Sequence, residues 1–102
     1  MSDYSRPKNQ GPETTEEWVN LILNDIPVDS LIHQARVCGS PSFIRVLRQE
    51  GFEGKDLDAI HNAFSLRFLT EEIRIPREMT NCTINYFELA EKLEYERNLK
   101  NS

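Results

Sequence analysis

The chain reads as an all-α protein, four to five short helices around one core. Three observations predict this. Apolar residues between Thr14 and Leu99 recur mostly at spacings of three and four, the period of a helix with one buried face. Helix start and stop signals punctuate that stretch, among them Thr14, Pro27, Gly39, Ser40-Pro41 and Gly51. Residues 1–13 hold only Met1 and Tyr4 as apolar side chains, among Pro7, Gly11 and Pro12. They read as a flexible tail, which leaves 14–102 as a single helical domain.

The first helix opens at Thr14. With Glu17 three residues on, Thr14 forms a capping box, and Glu16 and Glu17 suit the positive end of the helix dipole. Trp18, Leu21 and Ile22 share a face. Pro27 ends the helix by driving Ile26 out of α geometry. Asp29 is a candidate cap for a second helix, with Leu31, Ile32 and Ala35 inward and Gly39 as a left-handed stop. Ser40-Pro41 reads as N-cap and first helical position of a third helix carrying Phe43, Ile44, Val46 and Leu47. Gly51 ends it, with Phe52 packing back over the stop. A fourth helix opens at Gly54-Lys55-Asp56, with Leu57, Ile60, Phe64 and Phe68 as its stripe and Ala63 at the flank. Residues 72–75 and 82–86 alternate like short strands, so a small hairpin near 72–87 competes with a loop. The preferred reading is a loop followed by a last helix from about Ile84 to Leu99, with Tyr86, Leu89, Ala90 and Leu93 inward.

The length of 102 residues predicts one domain, and a net charge of −5 argues against a general binder of nucleic acid or anionic membrane. No apolar run approaches the length of a membrane span. The N-terminus has neither an apolar signal core nor a small-residue cleavage site, so a cytoplasmic protein is expected, with Cys38 and Cys82 as free thiols.

Glu16 to Asp25, Leu31 to Ala35, Phe43 to Phe52 and Lys55-Asp56-Leu57 together resemble the small helical domain of nitrogen-fixation-associated and nitrile-hydratase-type leader peptides. That resemblance spans residues 16–60 and implies a helical module that a modifying enzyme grips. No Gly-Gly or Gly-Ala processing site and no Cys/Ser/Thr-rich peptide follows it.

Chemistry-bearing patterns are sparse. His33, Cys38, His61 and Cys82 lack the close pairs of a zinc site, so no metal and no cofactor are expected. A Cys–His nucleophile lacks a third orienting group, and the acidic pairs read as helix first turns or solvated surface. The expectation is therefore non-enzymatic: a small protein-binding adaptor or regulator, with a bacterial or phage-encoded inhibitor as one form. The anchors singled out are Arg36, Arg45 and Arg48, with Tyr95 or Tyr4 as aromatic companions. Trp18, Val19 and Leu23 join them, because the helix at 14–26 is apolar nearly all round and that predicts either a central position or a homo-oligomer or partner interface. The alternatives are a nucleic-acid-binding regulator using the arginines, and a leader-like module recognised by a modifying enzyme.

Overall fold

A computed structural model describes residues 12–77, 79 and 82–101. Nearly all of the tail, residues 1–11 with Tyr4, lies outside them. The described residues form five α-helices and no strand: α1 (Thr15–Asn20), α2 (Val28–Cys38), α3 (Pro41–Gln49), α4 (Gly54–Thr70) and α5 (Tyr86–Asn101). A π-helical turn, Leu21–Asp25, continues α1.

The local signals at the start of the chain act as expected. The Thr14 hydroxyl accepts the Glu17 N–H at 3.1 Å, and Glu17 returns a carboxylate to the Thr14 N–H at 3.2 Å. Ile26 then leaves helical geometry at ψ 124° before Pro27. What the sequence pattern did not announce is the π-turn between them. Its wider turn is closed by the Ile26 N–H donating to the Leu21 carbonyl at 3.0 Å, five residues back. This has a chemical consequence. The Ile22 carbonyl would need the N–H of residue 27 as its π-type partner, and Pro27 has none. The guanidinium of Arg67, on α4, donates to that carbonyl at 2.8 Å instead. Arg67 is itself buried and forms an i,i+4 ion pair with Glu71 at 2.9 Å.

The π-turn also accounts for the ring of apolar residues on this first helical stretch. Ile22 and Ile26 are buried, and Trp18, Val19, Leu21 and Leu23 are half-buried against the same core. A wider turn brings residues four and five apart onto one side, so a pattern that covers a regular α-helix all round becomes a broad inward face.

The second helix starts one residue before Asp29. Pro27 takes the N-cap position without a side-chain bond, and Asp29 lies in the first turn, where its charge faces the dipole. Gly39 is not a left-handed stop: its φ is −91° and its ψ −1°. Its reason is space. A Cβ there would lie 3.0 Å from a ring carbon of Tyr86 and 3.1 Å from Cβ of Cys82. Ser40 caps α3 through the Phe43 N–H at 3.3 Å, with Pro41 in the first turn. Gly51, at φ 103°, is the true left-handed stop. Around it the Phe52 N–H reaches the Leu47 carbonyl and the Gly51 N–H the Arg48 carbonyl, both at 3.1 Å, and Phe52 turns inward.

The longest helix, α4, is central. Leu57, Ile60, Ala63, Phe64 and Phe68 are all buried, as their spacing predicts. Its start is tied down by Asp56, which accepts from the Glu53 N–H and from the Thr15 hydroxyl, each at 2.9 Å. Its end uses Glu72 at φ 58° in the role that Gly51 plays for α3, with Ile73 N–H on the Phe68 carbonyl at 2.9 Å. Among the described residues of 72–87 no strand, and so no hairpin, is formed. Ile75 and Met79 fold into the core from an irregular segment, and Asn85 caps α5 by accepting from the Phe87 and Glu88 N–H groups at 3.1 and 3.2 Å. That cap places the start of α5 at Tyr86, two residues later than the sequence reading. The α5 stripe of Tyr86, Leu89, Ala90 and Leu93 faces the body, and residues 94–100 are exposed.

The Gly39–Tyr86 junction generates a prediction. Gly39→Ala is compatible with its backbone angles, so any cost is steric. Tyr86 cannot retreat, because the rings of His61, Phe64 and Phe68 surround it at centroid distances of 5.9, 6.0 and 6.2 Å. Urea denaturation should show a loss of about 1–3 kcal/mol, the range for overpacking a tight site. A neutral or stabilising Gly39→Ala would contradict the close approach.

Candidate functional site

The arginines singled out in the sequence do not all gather. Arg45 and Arg48 are exposed and lie three residues apart on α3, on neighbouring positions of one helix face. Neither has a hydrogen bond or ion pair among the described residues. Asp56, one of the carboxylates that could have balanced them, is engaged by Thr15 and by the Glu53 backbone. Those two bonds, the backbone one foremost, hold the Asp56 carboxyl below its ordinary range. Arg36, near the end of α2, instead belongs to the environment of Cys82. The Cys82 thiol donates to the Arg36 carbonyl at 3.7 Å, and burial raises that thiol's pKa while the Arg36 charge lowers it.

Helix α3 is a rigid mount for the pair. It is capped at both ends, and Leu47 anchors it in the core, with Phe43 and Ile44 half-buried beside it. Phe43 meets Trp18 edge to face at 5.8 Å, which joins α3 to α1. Trp18 is thus part of the support of this face, half-buried, with its indole N–H enclosed and without a protein partner. Val19 and Leu23 pack on the core and keep part of their surface in solvent.

A second group is internal. His61 is buried, and its Nε2 lies 3.2 Å from the Cys38 carbonyl, one of the unpaired carbonyls at the end of α2. A carbonyl only accepts, so Nε2 carries the hydrogen, and Nδ1 is left without a partner. Burial lowers the His61 pKa, with the Cys38 carbonyl and Asp58 opposing it. Burial also pushes the Cys38 thiol up to about 12. Cys38 and Cys82 are both free thiols. A thiol held protonated is a poor nucleophile, so Cys38 and His61 do not make an activated pair. Their work is to dock the end of α2 onto α4. No local pattern in the sequence marks His61 as buried, because its partner lies 23 residues away.

Two open clefts flank α5. One, of about 360 Å³, is lined by Asp58, His61, Asn62, Asn85, Glu88 and Lys92, with Ile84 and Leu89. The other, of about 580 Å³, has Ile75, Pro76, Met79 and Phe87 as apolar lining, with Arg74, Arg77 and Asn85. Among the described residues no group of three His, Cys, Asp or Glu side chains is placed to hold a metal, and no helix is long and apolar enough to cross a membrane.

No family model, no curated protein and no solved structure matches the chain.

The His61 contact has a pH consequence. Its folded pKa is depressed below the 6.5 of the free side chain. Below about pH 6.5 the unfolded chain therefore takes up a proton that the folded chain refuses, and stability present above that pH is lost as the pH falls. The unfolding free energy should drop between about pH 7.5 and 5.5. His61→Gln keeps an N–H donor and cannot titrate, so it should flatten the slope. An undiminished slope in that variant would assign it to other groups.

Proposed function

We propose that the protein is a small non-enzymatic adaptor or regulator that binds another protein through the arginine face of α3. The observation that carries this reading is the pair Arg45 and Arg48: exposed, one turn apart on a helix pinned at both ends, and without an ion pair among the described residues of a chain of net charge −5. Unpaired arginines on a rigid element keep their planar forks available for carboxylates, and arginine is enriched among the residues that dominate binding energy. The partner chemistry that fits is an acidic protein surface. Of Trp18, Val19 and Leu23, only Trp18 is seen to touch α3, through Phe43, so it supports the mount and the other two are lesser contributors. Arg36, tied to the Cys82 environment, is a lesser contributor.

The same arginines raise the nucleic-acid alternative, in which α3 and α4 act as a helix-turn-helix. That geometry would send α4 into a groove. Yet α4 buries eight of its side chains in the core, and its start carries Asp56 and Asp58, which phosphates would repel. A chain of this charge also lacks the electrostatic footprint of a duplex binder. The leader-like reading rests on residues 16–60 alone, and cleavage in the native host would reveal it. A cytoplasmic location and a bacterial or phage-encoded inhibitor role belong to the same proposal, on the sequence grounds already given.

The double reversal Arg45→Glu with Arg48→Glu tests the reading. Both side chains are exposed, so the melting temperature should stay nearly unchanged. Capture of the natural partner from source-cell lysate, followed by mass spectrometry, should fall at least about tenfold. Capture that survives the reversal would move the site off α3. Duplex binding by the native chain that weakens steeply with salt would favour the nucleic-acid alternative instead.

A further inference from the structure

The cleft of about 580 Å³ beside the start of α5 has a lining that the packing of the helices does not require. Its floor is apolar. Ile75 and Met79 are buried, and they pin the irregular segment between α4 and α5 to the core at two points. Ile73, Arg74 and Ile75 alternate, so that the isoleucines turn towards the core and Arg74 is exposed. After Pro76 the chain turns, with the Met79 N–H donating to the Pro76 carbonyl at 3.0 Å, and Arg77 is exposed as well. Arg74 and Arg77 both line the cleft, and neither has a hydrogen bond or ion pair among the described residues.

The first turn of α5 supplies the rest. Phe87 adds an aromatic side chain that is 51% exposed. Asn85 lies two residues before it, and the α5 cap fixes its amide, because the Phe87 and Glu88 N–H groups donate to Oδ1. The amide nitrogen is a donor with no bond among the described residues. The described lining thus holds two cations, one amide donor and no carboxylate, in a chain with 17 acidic and 12 basic side chains. Glu88, the residue after Phe87, lines the other cleft.

We propose that this cleft binds a small apolar carboxylic acid in its anionic form, with the carboxylate at Arg74 and Arg77 and the apolar body against Ile75, Met79 and Phe87. Each half of the lining selects half of the ligand. Two guanidinium groups on one cleft repel each other, and an anion bound between them replaces that repulsion with attraction. The arginine fork matches a planar carboxylate, and the Asn85 amide adds a neutral donor. The body is apolar because the side chains of Ile75, Pro76, Met79 and Phe87 would leave a polar one without partners. An aromatic body fits best, since the exposed Phe87 ring gains from a second ring beside it. The volume lies within the range of small-molecule sites, about 300–1,000 Å³. The cleft uses no residue of α3, so it stands or falls apart from the partner-binding reading.

Titration of the full chain with the fluorescent acid 2-naphthoate near neutral pH should saturate with a dissociation constant of about 1 mM or tighter, as befits a ligand of this size. The uncharged 2-naphthamide should bind at least about tenfold more weakly. Arg74→Gln with Arg77→Gln should weaken 2-naphthoate at least about tenfold and leave 2-naphthamide as it was, which separates loss of charge from loss of the cleft. Phe87→Ala should weaken both ligands. All three side chains are exposed, so the helical circular dichroism should be unchanged in each variant. An amide that binds as tightly as the acid, acid binding that survives the double arginine change, or no binding of 2-naphthoate up to about 10 mM overturns the proposal. A cleft that refuses 2-naphthoate and takes an acidic, phenylalanine-containing peptide overturns it equally and assigns the site to a protein partner.

Discussion

Arg67 donating to the Ile22 carbonyl is the contact on which the arrangement of helices depends. It arises from a conflict in the chain. The π-turn takes the Ile26 N–H for Leu21, and Pro27 withholds the next one, so Ile22 has a carbonyl and no backbone donor. A buried carbonyl left unpaired costs about 1–3 kcal/mol. Arg67 removes that cost and at the same time fixes the first helical stretch against α4. Burying a guanidinium is itself expensive, and here the Glu71 carboxylate and the carbonyl together repay it. Once the π-turn is fixed, Trp18 reaches Phe43, and the mount of α3 is complete.

Another face of α4 is organised around Tyr86, which packs on His61, Phe64 and Phe68. His61 secures the end of α2, Gly39 lets Tyr86 approach it, and the Thr83 N–H donates to the Gly39 carbonyl at 2.8 Å. The irregular segment before α5 is thus tied to the helix that it leaves behind in sequence. This fixes where α5 begins and hence which of its faces is spent on the core. Everything that α5 offers outward, including Phe87, follows from the burial of Tyr86 on the other side.

What was legible in the sequence was local. Thr14 with Glu17, Ser40 with Pro41, and Gly51 with Phe52 act through partners within five residues, and each reads correctly. The stripe of α4 is legible for the same reason, because a regular helix converts spacing directly into a face. The signals that failed involve distant partners. Gly39 was read as a conformational stop when its neighbour is Tyr86, and Arg67 gave no sign of the carbonyl 45 residues away. The π-turn was hidden because a pattern too broad for one α-helical face looks the same whether it marks an interface or a wider turn. Of the surface residues, the adjacency of Arg45 and Arg48 on one helix face is legible from their spacing. Arg36 was grouped with them by chain proximity, whereas the fold gives it to Cys82. The spacing of 87, 91, 95 and 99 is legible in the sequence, but which face of α5 turns outward depends on Tyr86, whose neighbours lie on other helices.

The most direct test compares two substitutions in one urea series. Arg67→Met removes both the ion pair and the donor to Ile22, while Glu71→Gln removes only the charge partner. If the carbonyl contact is the anchor, Arg67→Met should cost at least about 2 kcal/mol, in keeping with a buried hydrogen bond from a charged group. Glu71→Gln, at a more exposed position, should cost less than about 1 kcal/mol. Equal losses from the two changes, or an Arg67→Met loss below about 0.5 kcal/mol, would mean that the first helical stretch is positioned by apolar packing alone.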